Sequence, residues 1–160
     1  MLLTDITYLF FEGGRCCLST ILDTVTHEVL AYKLSPSFQF DFVLDTVDHL
    51  IREHSADLDN TTVVHSDQGY HYTSNAFIQK QKDEKFVQSM SRKGNCWENA
   101  PQESFFGHMR DLIGEKLTAC TEYTEAKALI DDYIDYYNND RTIDINGIWQ
   151  SCHQMSAMNS

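Results

Sequence analysis

Residues that interrupt a folded chain are rare in this sequence: its 160 residues include only two prolines and seven glycines. Internal repeats, low-complexity tracts and linker-like stretches are also missing. No apolar run approaches the roughly 18–20 residues of a membrane-spanning helix, and the first residues lack the segments of a secretion signal. With 42% hydrophobic and 22% charged residues, the composition predicts a globular domain that is large enough to bury one core.

Cysteine is present, but not in the pattern of a disulfide framework, because the five cysteines are irregularly spaced and two are adjacent. We therefore expect a reduced, cytoplasmic protein. A zinc-binding module is one alternative, with candidate ligands Cys96, His108, Cys120, Cys152 and His153. Structural zinc sites need closely spaced ligand pairs. The only close pair is the adjacent Cys152 and His153, so we discount this alternative.

Basic residues are scarce as well: 12 Lys and Arg stand against 24 Asp and Glu, for a net charge of -12. Nucleic-acid binders usually carry basic surface, because their affinity comes from neutralising phosphates. Composition alone therefore argues against DNA binding. The objection can be met only if carboxylates gather where metal ions bind, or if other parts of a protein bind the DNA.

The first third of the chain has the composition of strands. Residues 2–11, 16–24 and 28–34 are rich in β-branched and aromatic residues and are joined by short turn signals, which predicts an antiparallel meander. From residue 38 the apolar residues repeat with a helical period instead. That apolar face consists of Phe38, Phe42, Val43, Val47, Leu50 and Ile51.

The rest of the chain alternates between strand and helix patterns. We predict a strand over 61–65, a helix over 74–82, a strand over 86–90, a loop over 92–95, a helix from Pro101 and a last helix over 122–139. Tyr133, Tyr136 and Tyr137 of the last helix are expected in the core. This order predicts an α/β fold: a ribonuclease-H-like mixed five-stranded sheet, with three antiparallel strands, two parallel additions and flanking helices.

Three acidic residues occupy positions that such a sheet would bring together. Asp5 lies within the first strand, Asp67 ends the fourth strand, and Glu103 begins a helix. Mg²⁺ prefers hard oxygen ligands, and crowded carboxylates without a metal ion would repel one another. The alternative is that Asp5 is a surface residue, Asp67 forms a turn, and Glu103 is a first-turn charge favoured by the helix dipole.

Longer strings surround these residues and resemble those of one family. They are Leu-Thr-Asp-Ile-Thr-Tyr at 3–8, His-Ser-Asp-Gln-Gly at 65–69 with Tyr-Thr-Ser at 72–74, Gln-Ser-Met-Ser-Arg-Lys-Gly-Asn-Cys-Trp-Glu-Asn-Ala at 88–100, Glu-Ser-Phe-Phe at 103–106, and Tyr-Tyr-Asn-Asn-Asp-Arg at 136–141. Between Asp67 and Glu103 lie 35 residues. Together the strings resemble the catalytic core of DDE-type insertion-sequence transposases, which are related to retroviral integrases. Glu98 departs from the pattern, because relatives generally carry aspartate there.

The resemblance implies a polynucleotidyl transferase with a metal-binding triad of Asp5, Asp67 and Glu103. Two Mg²⁺ or Mn²⁺ ions would support strand cleavage at the ends of the mobile element, followed by attack of the freed 3′-hydroxyl on target DNA. The implied partners are element ends and target DNA. We also expect a homo-oligomer in the bacterial cytoplasm or nucleoid, without a membrane.

The sequence also predicts supporting roles for residues outside the triad. Candidate DNA contacts are Arg110, Arg92 and Lys93, and the alternative for Arg110 is an ordinary exposed arginine. Candidate supports of the site are His65, Gly69 and Asn95; the glycine would supply backbone freedom. A packed, hydrogen-bonded histidine is the alternative for His65.

The resemblance divides the chain into an integrase-like core at 1–141 and an aberrant tail at 142–160, which we expect to be poorly ordered. Degenerate codons for the tail, read one frame over, permit Asn-Arg-Tyr-Gln-Trp-Tyr-Met-Ala-Lys-Leu-Ser-Pro-Asp-Glu, which resembles the family's ending. We therefore hypothesise a frameshift near codon 141. Relatives also carry a helix-turn-helix region ahead of the core, and its absence here would explain the missing basic charge.

Three functions follow from these patterns. The first is a transposase catalytic domain. The second is a truncated remnant that keeps the triad but no longer cuts DNA, which the unusual flanks favour. The third is a ribonuclease-H-type nuclease, which the fold allows but the transposase-like strings do not favour.

Overall fold

A computed structural model of the chain describes residues 1–37, 41–91, 99–145 and 148–151, with side chains described as far as Thr142. This part of the chain contains the strands β1 (Leu2–Phe11), β2 (Gly14–Asp23), β3 (Val29–Ser35), β4 (Val63–Ser66), β5 (Val87–Met90), β6 (Thr142–Ile145) and β7 (Ile148–Ser151). Its helices are α1 (Asp41–His54), α2 (Asn75–Asp83), α3 (Ala100–Thr118) and α4 (Tyr123–Asn139). None of these helices is long and apolar enough to cross a membrane.

The first five strands form one mixed sheet in the order β3-β2-β1-β4-β5. β1 pairs antiparallel with β2, and β2 pairs antiparallel with β3. β4 then adds to β1 in parallel, and β5 adds to β4 in parallel. The predicted fold class is therefore confirmed, and β1 lies at the centre of the sheet. Phe38 and the predicted loop at 92–95 lie outside the described residues.

The turn between β1 and β2 depends on two glycines. Gly14 has a φ of 147°, a conformation that side chains disfavour. A Cβ on Gly13 would lie 1.9 Å from the carbonyl oxygen of Thr121. The turn therefore packs directly against the backbone that follows α3. The amide of Glu12 also donates to the carbonyl of Thr118, the last residue of α3, at 2.9 Å.

Alternating side chains of the sheet bury two separate cores, because successive residues of a strand point to opposite faces. Leu9 and Phe11 of β1 pack on the face covered by α3 and α4. Leu2 packs on the other face, with α1 and the aromatic residues near α2. Fully burying a large apolar side chain contributes about 1.5–3 kcal/mol, so both faces stabilise the sheet.

The helical periods predicted from sequence match the buried faces. In α1 the buried residues are Phe42, Val43, Thr46, Val47 and Leu50. In α4 they are Ala126, Ile130, Tyr133, Ile134 and Tyr137. The core prediction was wrong for Tyr136, which is 43% exposed, because Tyr133 and Tyr137 lie one turn apart on the buried face and Tyr136 lies beside it.

β6 and β7 pair antiparallel within the segment predicted to be an aberrant tail. The sequence predicted no strand there. Residues 152–160 lie outside the described part of the chain. The division of the chain at residue 141 stays a prediction.

Candidate active site

The parallel pairing of β1 with β4 brings two of the predicted carboxylates to neighbouring positions. Leu2 pairs with Val64 and Leu3 with His65. Asp5 follows Leu3 by two residues, and Asp67 follows His65 by two residues. The charge of Asp67 contributes to the raised pKa of Asp5, which places the two groups within electrostatic reach of each other.

Helix α3 brings the third carboxylate through Gln102, which is fully buried. The amide nitrogen of Gln102 donates to the carbonyl of Leu3 at 2.8 Å, and the hydroxyl of Thr20 donates to its amide oxygen at 3.0 Å. These bonds hold the first turn of α3 against β1 and β2. Glu103 is the next residue; it is exposed, and its charge also raises the pKa of Asp5.

Asp5 is held at both carboxylate oxygens. The backbone amide of Ile6 donates to Oδ1 at 2.7 Å, and the side-chain amide of Asn99 donates to Oδ2 at 2.7 Å. Burial is the main reason that the pKa of Asp5 lies above its ordinary value, and the two hydrogen bonds act in the opposite direction. A half-buried carboxylate beside two others is costly to ionise without a cation.

Asp67 differs because it is exposed and held by a turn. The amide of Gly69 donates to its Oδ1 at 2.8 Å. A Cβ on Gly69 would also stand 2.8 Å from Oδ1. Any side chain at residue 69 would therefore displace the carboxylate, which gives Gly69 a steric reason to be glycine.

His65 is a buried, hydrogen-bonded residue of β4. Its Nδ1 lies 3.0 Å from the hydroxyl of Ser89, and its Nε2 lies 2.8 Å from the hydroxyl of Ser91. Ser91 also donates its amide to the carbonyl of Ser66 at 3.0 Å. His65 thus joins the ends of β4 and β5 immediately before Asp67.

Of the other predicted DNA contacts and site supports, the structure describes only Arg110. Arg110 is exposed on α3, seven residues beyond Glu103. Arg92, Lys93 and Asn95 lie outside the described residues, as do Cys96, Cys152 and His153 of the zinc alternative. Within the described ranges, no three His, Cys, Asp or Glu side chains lie close enough to hold a metal ion together.

Sequence reasoning missed Asn99 and Gln102. Asn99 stands directly before a helix, where asparagine is ordinarily read as an N-cap. Gln102 falls in the first turn of a helix, where a polar residue is ordinarily read as exposed. The polar contacts of both residues reach 82 to 99 positions back along the chain, so no local pattern predicts them.

The mixed sheet and the carboxylates beside its central strand define a ribonuclease-H-like α/β core. The family models agree with this class: two models, both described as integrase core domain, match residues 1–96 and 103–159. The chain belongs to the integrase core domain family, the catalytic-core family of transposases and integrases.

Its relatives include proteins of insertion sequences. The chain is 33% identical over 138 residues to the putative transposase InsK for insertion sequence element IS150 of Escherichia coli, covering 86% of this chain and 48% of that protein. It is 33% identical over 141 residues to an uncharacterized transposase-like protein of Haemophilus influenzae, covering 86% of this chain and 62% of that protein. The chain thus spans about half the length of these relatives.

Solved integrase structures have the same fold. The HTLV-2 integrase catalytic core domain, in a structure with magnesium, has a TM-score of 0.72 at 15% identity, covering 96% of this chain and 93% of that one. A chain of a simian T-cell lymphotropic virus intasome, solved in complex with PP2A regulatory subunit B56 gamma, has a TM-score of 0.79 at 16% identity, covering 96% of this chain and 52% of that one. At such identities the similarity bears on the fold alone.

Proposed function

We propose that this chain is the catalytic domain of an insertion-sequence transposase, which cleaves element ends and transfers the freed strand to target DNA. In this proposal Asp5, Asp67 and Glu103 hold two divalent ions, Mg²⁺ or Mn²⁺. The observation that carries it is the parallel pairing of β1 with β4, together with the bond by which Gln102 holds the start of α3 against β1. The raised pKa of Asp5, to which both other carboxylates contribute, supports their proximity.

The donor set fits hard divalent cations, since it consists of carboxylate oxygens. Two such ions, when bound, would stabilise the attacking and leaving oxygens of an in-line phosphoryl displacement. The protein's own contribution is positional. Asp5 is fixed within the central strand, whereas Asp67 and Glu103 are exposed and can adjust to cations and a DNA backbone.

The acidic composition fits a domain that contributes carboxylates while other parts of the protein contribute basic surface. The relatives are longer than this chain, so we assign DNA-end recognition and the assembly of a homo-oligomer to the longer protein. Exposed Arg110 and the undescribed Arg92 and Lys93 are the candidate phosphate contacts within this chain. The same proposal places the protein with the DNA of a bacterial cytoplasm.

Calorimetric titration with Mn²⁺ tests the triad. We expect saturable binding by the unaltered chain, loss of that binding in Asp67→Asn, and unchanged binding in Asp132→Asn, an exposed carboxylate on α4. Equal binding in all three proteins, or no binding in any, would contradict the assignment.

The same titration separates the transposase domain from the inactive remnant. A remnant would bind no Mn²⁺, in keeping with the absence, among the described residues, of three side chains that could hold a metal ion together. A ribonuclease-H-type nuclease would bind Mn²⁺ and cleave the RNA strand of an RNA–DNA hybrid. A transposase domain is expected to act on DNA that carries element ends instead.

The tail at 142–160 is a separate proposal. We infer that a frameshift near codon 141 replaced the family's usual ending. The gene sequence tests this directly. A nucleotide sequence that cannot encode the alternative ending in the shifted frame would refute the frameshift.

A further inference from the structure

We propose that Asn99 is a positioning residue for Asp5: its side-chain amide orients the Asp5 carboxylate and ties it to the helix that carries Glu103. The inference rests on the proposed function, since it concerns a member of the proposed metal-binding triad. It assigns a role to a residue outside that triad.

Asn99 does not make the hydrogen bond that is expected at its position. Asn99 is the N-cap residue of α3, a position that favours asparagine because its side-chain oxygen accepts a free backbone amide of the first turn. Its side chain makes no such bond. Ser74, the N-cap of α2, does accept the amide of Phe77, at 3.2 Å.

Asn99 bonds to the carboxylate of Asp5 instead. Its Nδ2 donates to Oδ2 of Asp5 at 2.7 Å, across 94 positions of sequence. Oδ1 is already bound by the amide of Ile6. With one donor from the strand and one from α3, the carboxylate plane of Asp5 is held at both oxygens. Each oxygen keeps a lone pair for a cation.

Asn99 also lies close to Glu103 in the sequence. The two residues lie four positions apart, one helical turn, and Gln102 anchors the same turn to Leu3. The bond from Asn99 to Asp5 therefore sets the distance between the strand carboxylate and the helix carboxylate. A hydrogen-bonding partner of a metal ligand typically changes metal affinity by about 10-fold to 100-fold when it is removed.

Serine at residue 99 separates this role from capping. Serine is as good an N-cap as asparagine, but its hydroxyl is one atom shorter and is not expected to reach Asp5. We expect Asn99→Ser and Asn99→Ala both to weaken Mn²⁺ binding by about 10-fold to 100-fold in calorimetry. Ser74→Ala, which removes a cap that is actually formed, should lower the melting temperature and leave Mn²⁺ affinity unchanged.

A metal-free measurement tests the contact itself. Asn99→Ser should change the melting temperature of the unaltered protein but not that of an Asp5→Ala variant, because the partner is already missing there. Equal shifts in the two backgrounds would overturn the inference.

The outcomes distinguish this inference from the proposed function. Asp67-dependent Mn²⁺ binding that Asn99→Ser leaves intact would overturn only the role of Asn99. Absence of Mn²⁺ binding in the unaltered protein would overturn both.

Discussion

Two regions of this molecule carry equally distinctive sequence strings, and the structure uses them differently. Around Asp5, Asp67 and Glu103, polar groups lie beside the central strand, and one of the three carboxylates is half-buried and costly to ionise. In the closing segment at 136–141, Tyr137 and Asn138 hold α4 to its neighbours. A distinctive string therefore indicates a constrained region, and only its contacts tell whether the constraint is chemical or architectural.

The contacts of the closing segment are internal. The ring of Tyr137 meets that of Phe105 edge-on at 4.8 Å, and the guanidinium of Arg141 lies 4.6 Å from the centre of the Tyr137 ring. Asn138 accepts the backbone amide of Val29 and donates to its carbonyl, both at 3.0 Å. The side-chain amide of Asn138 thus makes the two backbone hydrogen bonds at Val29 that a neighbouring strand would otherwise make.

The largest expected effect separates stability from the site. Tyr137→Ala removes a side chain that is 1% exposed, so we expect the free energy of unfolding to fall by about 3–5 kcal/mol. Tyr136→Ala, on the exposed side of the same helix, should change it by less than about 0.5 kcal/mol. Denaturant titration measures both. Similar losses in the two variants would show that the segment is not held by Tyr137.

Asn138→Leu should have the next largest effect. Leucine fills a similar volume but leaves the amide and carbonyl of buried Val29 without their partner, which costs about 1–3 kcal/mol. Asn139→Leu is the control, because Asn139 is exposed and its side chain bonds to Asp135 within its own helix. If both variants unfold at the same denaturant concentration, the strand-like role of Asn138 is wrong.

Gly69→Ala tests the carboxylate site, where the closing-segment variants test stability. The added methyl group would meet Oδ1 of Asp67, so the carboxylate must move, while the exposed turn should keep its fold. We expect a melting temperature close to that of the unaltered protein and Mn²⁺ affinity lower by about 10-fold, in line with displaced partners of metal sites. Unchanged affinity would mean that Asp67 does not depend on the turn.

The smallest expected effect is a pH-dependent gain in stability. Because the pKa of Asp5 is raised in the folded protein, its contribution to stability is present at low pH and is lost as the pH rises through the folded pKa. Without metal, Asp5→Asn should therefore melt higher than the unaltered protein at neutral pH. The difference should shrink below the ordinary pKa of a carboxyl group. Thermal unfolding over a pH series measures this, and a constant difference would contradict it.

Element boundaries show where local patterns stopped being informative. The fourth strand was predicted over 61–65 but is Val63–Ser66. The carboxylate of Asp59 accepts the amide and hydroxyl of Thr61, at 2.8 and 2.6 Å. Thr61 was predicted to begin the strand, but the side chain of Asp59, two positions earlier, holds it in a turn.

Sequence by itself determined the order of the first five strands and the four helices, the sheet class and the family, because hydrophobic period and motif spacing are local properties of the chain. It also indicated the three carboxylates, since their strings are distinctive. Only the tertiary structure decided that the side chain of Asn99 bonds to Asp5 instead of capping its own helix, that Gln102 is buried, and that Asn138 bonds to the backbone of β3. Each of these depends on a partner at least 82 positions away, and the fold alone brings such partners together.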